Sequence, residues 1–219
     1  FINQISIGKI PFMPKAKPLK NTINLCGVKY VSIKADGVTA YLFIDNLGNS
    51  FVITKDSING ILFRKVPSNR ITQDRYSEYN NCLLIGELVK YRNEQHFLAF
   101  DIISYSIKGK VTTLLDKYID FRLNILEKIV NSLASSKNPF IKFKPFKKIL
   151  QDGKSIDLIT FNNQELPYKK DGLIFMGNQP LYIKGYTRPD VLKWKPKEQQ
   201  TIDLLIYYDF VSEEMLYLY

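Results

Sequence analysis

Lys34-Ala35-Asp36-Gly37 stands between two apolar, β-branched runs, Val28–Ile33 and Val38–Ile44. The flanks predict a strand on each side, with Asp and Gly supplying the bend between them. A lysine at such a junction is a candidate covalent nucleophile. With an ordinary pKa of about 10.4, roughly one amine in a few thousand is neutral at pH 7, so positive neighbours or partial burial must lower it. Taken alone, the tetrapeptide reads better as a hairpin turn with a solvated lysine. By average composition Lys-x-Asp-Gly turns up in roughly one chain in twenty of this length.

The chain has 219 residues, 45% of them hydrophobic and 13% aromatic, which suffices for a sizeable core in one domain or a domain with a small appendage. Lys and Arg outnumber Asp and Glu 31 to 21, for a net charge of +10. That balance favours a polyanionic partner such as nucleic acid or a nucleoside triphosphate, although solubility alone accounts for a charge of this size. Cys26 and Cys82 form no Cys-x-x-Cys pair, and His96 is the sole histidine. A zinc site and a Ser-His or Cys-His nucleophile system are therefore not expected. Two isolated cysteines fit a reducing compartment. No apolar run approaches a membrane-spanning length and no signal-peptide pattern is present, so no membrane partner is expected. The first residue is Phe1, which reads as a segment of a longer protein.

In chain order, the Lys- and Pro-rich residues 1–27 are expected to be an irregular lead-in over the first sheet. Phe51–Thr54 is a strand, joined to Val38–Ile44 by the turn residues 45–49. Phe63–Tyr79 is polar and basic and reads as loop with a short helix. Cys82–Val89 and His96–Ile103 form a strand pair across Lys90–Gln95. From Thr113 the period changes: Leu115, Ile119, Leu123, Leu126, Val130 and Leu133 recur at helical spacing, with Thr113 as cap and Asp116 three residues on. Ser135–Asn138 ends this helix. Phe140–Phe143, Leu173–Met176, Pro180–Ile183, Leu192–Lys195 and Thr201–Phe210 are further strand candidates, with helix or loop near Pro145–Leu150. No internal repeat appears. The pattern is α+β, mainly antiparallel sheets with a few helices outside.

Beyond Lys34 the chain presents Gly86-Glu87-Leu88-Val89, then Phe97-Leu98-Ala99-Phe100-Asp101-Ile102-Ile103, Asp171-Gly172-Leu173-Ile174-Phe175 and Leu192-Lys193-Trp194-Lys195-Pro196. In this order they resemble the motifs of the covalent nucleotidyltransferase superfamily of DNA ligases, RNA ligases and mRNA capping enzymes, over about Lys29 to Leu205. Lys-Ala-Asp-Gly, the Leu-Lys-Trp-Lys-Pro motif followed by Thr201-Ile202-Asp203, and the segment from Pro139 to Phe146 are similar to the capping guanylyltransferase versions. The resemblance implies an ATP-grasp-like nucleotidyltransferase domain over residues 1–219, its usual C-terminal OB-fold domain absent from this chain. Thr39 and Ile85 depart from the family pattern, which commonly has Arg and Asp there. Such departures, with an Ile-, Asn- and Lys-rich composition, suit a large-DNA-virus origin.

The resemblance also implies a chemistry. Lys34 would attack the α-phosphorus of GTP, displace pyrophosphate and leave a lysyl-N–GMP intermediate, which passes GMP to the diphosphate 5′ end of RNA. Lys193 and Lys195, two residues apart on one strand face, would hold the α-phosphate and depress the Lys34 pKa. Asp171 and Glu87 would serve Mg²⁺ or Mn²⁺, Asp171 also orienting Lys34 and Glu87 bonding the ribose. Phe100 would stack on guanine, and Lys144 would donate to its O6. Asp36, Gly37 and Asp203 complete the implied substrate-binding set. Each residue also has a plainer reading: an edge strand with solvated lysines, a strand-end glutamate, an Asp-Gly turn, a core phenylalanine, a basic stretch meeting RNA phosphates. An RNA or DNA ligase adenylation domain and a non-catalytic RNA-binding domain are the alternatives. Expected partners are triphosphatase and methyltransferase domains or subunits, in a cytoplasmic or viral setting.

Overall fold

The computed structural model describes residues 28–56, 60–66, 80–91, 94–107, 109–133, 140–149, 158–178, 191–195, 206–208 and 215–217. Among these, the predicted strand on each side of Lys34-Ala35-Asp36-Gly37 is present, as β1 (Val28–Ala35) and β2 (Val38–Ile44). They do not form a hairpin. β1 pairs with β9 (Phe146–Lys148) and β10 (Lys170–Gly177), and β10 pairs with β11 (Val191–Trp194), giving a four-stranded antiparallel sheet. β2 belongs to a seven-stranded sheet, between β3 (Ser50–Asp56) and β5 (Asn80–Tyr91). The tetrapeptide is thus a crossing from one sheet to the other.

The larger sheet continues from β3 to β4 (Gly60–Lys65) at one side and from β5 to β6 (Glu94–Ile107) and β7 (Lys110–Thr113) at the other. β8 (Ile141–Phe143) joins β6 in parallel. A separate ribbon pairs β12 (Ile206–Tyr208) with β13 (Met215–Tyr217). The β2–β3 turn is closed by Asp45, whose Oδ1 accepts the backbone N–H groups of Leu47 at 2.8 Å and Asn49 at 2.7 Å, the local bonding that makes Asp a turn residue.

Strand alternation decides what each face meets. Ala40, Leu42 and Ile44 of β2, with Leu84 and Leu88 of β5, are buried in one core with Phe97, Ile102 and helix α1 (Ile119–Leu133). Tyr30, Ile174, Met176 and Val191 of the smaller sheet pack into the same cluster, joining the two sheets. The opposite face of the smaller sheet, Val31, Ile33, Leu173, Phe175 and Leu192, packs against Phe161 of α2 (Leu158–Asn163). Because α1 covers the Leu84 and Leu88 face of the larger sheet, the face carrying Ile85 and Glu87 is left for a site.

Several expectations are corrected. Helix α1 begins at Ile119, not Thr113. The β-branched Val111-Thr112-Thr113 instead extends β7, Thr113 lying opposite Ser104, so it cannot cap the helix. Leu115 is 38% exposed in the connection rather than on the apolar helix face. Phe63 to Lys65 are strand, not loop, because they pair with β3. Residues 146–148 are a strand held by β1, and α2 was not foreseen. The lead-in 1–27, residues 67–79, 134–139 and 180–183, and the flanks of β12 in Thr201–Phe210 lie outside the described residues.

Candidate active site

The crossing between sheets brings backbone unusually close to β5. The Asp36 N–H donates to the Lys169 carbonyl at 2.9 Å, and a Cβ added to Gly37 would lie 2.6 Å from the Leu88 carbonyl oxygen. Only glycine fits so close an approach. Asp36 and Gly37 themselves are exposed.

Just before the crossing, Lys34 Nζ donates to Asp171 Oδ2 at 2.5 Å, and Lys195 Nζ reaches the same oxygen at 2.8 Å. All three side chains are between 16% and 21% exposed, partly withdrawn from water. Asp171 and Gly172 lie inside β10, so they are not a turn. Gly172 has φ +103°, and a Cβ there would lie 2.0 Å from the Trp194 carbonyl oxygen; the residue lets β11 press against β10 beside the aspartate. Burial raises the Asp171 carboxyl, but hydrogen bonds and charge from Lys195 and Lys34 outweigh it and hold the group below its ordinary 3.8. Lys193 lies opposite Ile174 in β11 and is partly buried. Burial and the charge of Lys34 push its ammonium below the ordinary 10.5, with Lys195 adding and Glu87 and Asp171 opposing. Three lysines therefore surround one carboxylate, a concentration of positive charge suited to a phosphate. Leu192 is buried and Trp194 packs on the far core, as an edge strand with alternating faces requires.

The residues assigned to base and sugar form a second cluster. Lys144 is 1% exposed, and its Nζ pairs with Glu87 Oε2 at 2.7 Å and lies 5.3 Å from the Phe100 ring centre. Its backbone N–H is fixed to the Ala99 carbonyl at 2.8 Å. Glu87 stands directly opposite Thr39 on β2, so the departure at Thr39 falls beside the glutamate. Phe100 is half-buried against Leu83, Ile85 and Ile103. Tyr168, which the sequence reading passed over, packs against Ala35, Val89 and Leu98 with its hydroxyl buried. Burial and the charge of Glu87 push that phenol up to about 12. No motif marks Tyr168; only the tertiary contact exposes it.

Asp171 holds Lys34 and Lys195, Glu87 holds Lys144, and the described residues contain no group of three His, Cys, Asp or Glu side chains that could hold a metal. This donor set does not build a resident metal cage. It suits an ion that arrives on the phosphates of a nucleotide, since Mg²⁺ keeps most of its waters and takes few protein carboxylates. Asp203 lies outside the described residues. Cys82 is buried in the core with its thiol pushed up to about 12 by burial, and His96 is 1% exposed; neither is a competing nucleophile at this site. No helix of the described residues is long and apolar enough to cross a membrane.

Residues 23–197 match the family described as mRNA capping enzyme, catalytic domain. The mRNA-capping enzyme subunit alpha of Candida glabrata is 26% identical over 196 residues, covering 80% of this chain and 43% of that protein. Its counterpart in Neurospora crassa is 28% identical over 205 residues, covering 83% and 49%. The chain thus spans less than half the length of these two relatives. Among solved structures, the ligase domain of M. tuberculosis LigD aligns with a TM-score of 0.49 and 16% identity over 77% of this chain and 53% of that one.

Proposed function

The chain belongs to the mRNA capping enzyme catalytic-domain family, and on that ground we propose that it is a GTP–RNA guanylyltransferase acting through Lys34. The observation that carries this reading is the placement of Lys34 Nζ and Lys195 Nζ on one Asp171 oxygen, at 2.5 and 2.8 Å. Lys34 reacts as the neutral amine, its ammonium proton having passed to solvent: the nitrogen lone pair forms the bond to the α-phosphorus, the bond from that phosphorus to pyrophosphate breaks with its electron pair leaving on pyrophosphate, and the surplus N–H proton passes to solvent. Asp171 Oδ2 is hydrogen-bonded to Lys34 and keeps the amine oriented. Lys193 and Lys195 meet the negative charge that gathers on the phosphate oxygens. A terminal phosphate oxygen of 5′-diphosphate RNA then takes the GMP, the N–P bond breaks, and Lys34 regains its proton. Mg²⁺ or Mn²⁺ would enter with the triphosphate as part of the substrate and offset its charge.

GTP is favoured over ATP by Lys144. Its ammonium can donate to guanine O6, whereas adenine presents an amino group, itself a donor, at that position. Phe100 supplies a stacking surface, and Glu87 accepts from the ribose hydroxyls. Asp36, Gly37 and Asp203 complete the substrate-binding set. Residues 1–219 act as one nucleotidyltransferase domain that works with an OB-fold domain and with triphosphatase and methyltransferase activities, in a reducing compartment, cytoplasmic or viral.

Incubation with α-labelled GTP and Mg²⁺ or Mn²⁺, followed by denaturation and peptide mapping, tests the proposal. The label should sit on Lys34, resist alkali and be lost in acid. Lys34→Ala should abolish it, and so should Lys34→Arg, because a guanidinium stays protonated. ATP should not label, and Lys144→Ala should narrow the preference by about 1–3 kcal/mol. Preferential labelling by ATP would establish a ligase-type adenylation domain instead, and no adduct at all would leave an RNA-binding domain.

A further inference from the structure

Phe100 sits at an irregularity in β6. Ile85 pairs with Asp101 while Gly86 pairs with Ala99, so Phe100 is the inserted residue of a β-bulge. Bulges bend a strand locally and can re-aim a side chain. Alternation by itself sends Phe100 and Asp101 to opposite faces; the bulge shows in Asp101 and Ile102, successive residues that both face the helix side, after which Ile103 returns to the face of Phe100. Phe100 packs against Leu83, Ile85 and Ile103, whereas Asp101 meets the helix on the other face.

The partner of Asp101 is remote in sequence. Arg122, in the first turns of α1, is fully buried; its Nε donates to Asp101 Oδ1 at 2.8 Å and its Nη2 to Oδ2 at 3.0 Å. Its Nη1 donates to the Lys117 carbonyl at 2.5 Å, which fixes the fork against the turn that enters the helix. Asp101 Oδ1 also accepts the Ile102 N–H at 2.8 Å. A buried ion pair is weak evidence of stabilisation, because well-packed apolar replacements are often as stable. What a bidentate planar fork does supply is orientation, which a lysine cannot reproduce.

We propose that Arg122, acting through Asp101, is a positioning residue that sets the β6 bulge and so aims Phe100 at the guanine beside Lys144. The proposal rests on the guanylyltransferase reading of Phe100 and Lys144. Arg122 touches no substrate, so its loss weakens and blurs recognition of the base while leaving the phosphate chemistry at Lys34 intact.

The test pairs Asp101→Leu with Arg122→Met, which leaves no orphaned buried charge, and adds Arg122→Lys as a milder single change. GTP affinity is read from the fluorescence of Trp194, the only tryptophan, which lies between Lys193 and Lys195. Adduct formation is timed separately at saturating GTP. The paired variant should melt cooperatively, bind GTP about tenfold more weakly, lose much of its preference over ATP, and form adduct at saturation within about twofold of the parent rate. Arg122→Lys should shift affinity in the same direction, and it carries the test if the paired variant does not fold. In a Phe100→Leu background the same changes should weaken GTP binding no further; fully additive losses would overturn the proposal. A parent protein that binds GTP and a forkless variant that binds it equally well would overturn this proposal alone. A parent that takes up no GTP would overturn the guanylyltransferase reading and this inference with it.

Discussion

Burial first, then the charge of Lys34, holds the Lys193 ammonium below its ordinary 10.5. The sign of the consequence follows from linkage. Below the folded value Lys193 is charged in both folded and unfolded chains, so the folded protein carries the whole cost of keeping the charge; that cost fades as pH rises through the folded value toward 10.5. Lys193→Met keeps most of the aliphatic stem and removes the charge. It should raise Tm at pH 7 by about 2–4 °C while impairing adduct formation, and the gain should shrink as the pH approaches 10. Melting curves across that range decide the matter, and a lower Tm at pH 7 would mean that the cluster stabilises the fold. Residue types alone could nominate Lys34, Lys193, Lys195, Asp171 and Glu87, because each stands in a short ordered motif. They could not show that Lys144, nominated for the base, and Glu87, nominated for the sugar, pair with each other at 2.7 Å. Arg122 did leave a signal: a charge three residues after Ile119 falls on the apolar face of the helix, where it needs a buried partner.

Strands with a strong local pattern were legible, and those defined by their neighbours were not. β2, β5 and β6 alternate or run apolar over many residues, and the structure extends β5 and β6 beyond the predicted spans. β4, β7 and β9 are short and rich in Lys, Arg or Thr, and exist because an adjacent strand offers a ladder. The sheet crossing at Lys34 was misread as a possible hairpin because Asp-Gly fits either, and only long-range pairing distinguishes them. Gly172 tests how closely β10 and β11 must approach. Gly172→Ala would place a methyl group 2.0 Å from the Trp194 carbonyl oxygen at φ +103°, so β11 must move and take Lys193 and Lys195 with it. The adduct rate should fall by about a hundredfold, because misplacement of roughly 1 Å is costly in an in-line transfer. GTP affinity should fall toward that of guanosine as the phosphate contacts weaken, but by less than the rate, since Glu87 and Phe100 stand on the other sheet. Parallel losses of affinity and rate would show that the two sheets do not divide the work in this way.

Among the described residues, two crossings between the sheets run through the candidate site. The first is Lys34 to Gly37; the second is Lys144-Pro145, between β8 on the larger sheet and β9 on the smaller, where the Pro145 carbonyl accepts the Ser32 hydroxyl at 2.8 Å. Lys34, Lys193 and Lys195, proposed to address phosphate, hang from the four-stranded sheet, and Glu87 and Phe100 from the seven-stranded one. On the proposed guanylyltransferase reading, a nucleoside triphosphate straps one sheet to the other, while a bare nucleoside engages the larger sheet and Lys144 alone. With ligand at about a hundred times its Kd, binding is worth about 2.7 kcal/mol, or roughly 5–11 °C in Tm for a chain of this size. At matched concentrations GTP should raise the Tm by several degrees more than guanosine does. The excess should shrink as salt rises from about 50 mM to 500 mM, because the phosphate charges meet partly exposed lysines, whereas the guanosine shift should hardly change. Lys34→Ala should keep much of the GTP shift, since Lys193 and Lys195 remain, which separates binding from covalent capture. Equal shifts for GTP and guanosine at low salt would mean that the lysines of the smaller sheet do not meet the phosphates, and the division of the site between the two sheets would be wrong.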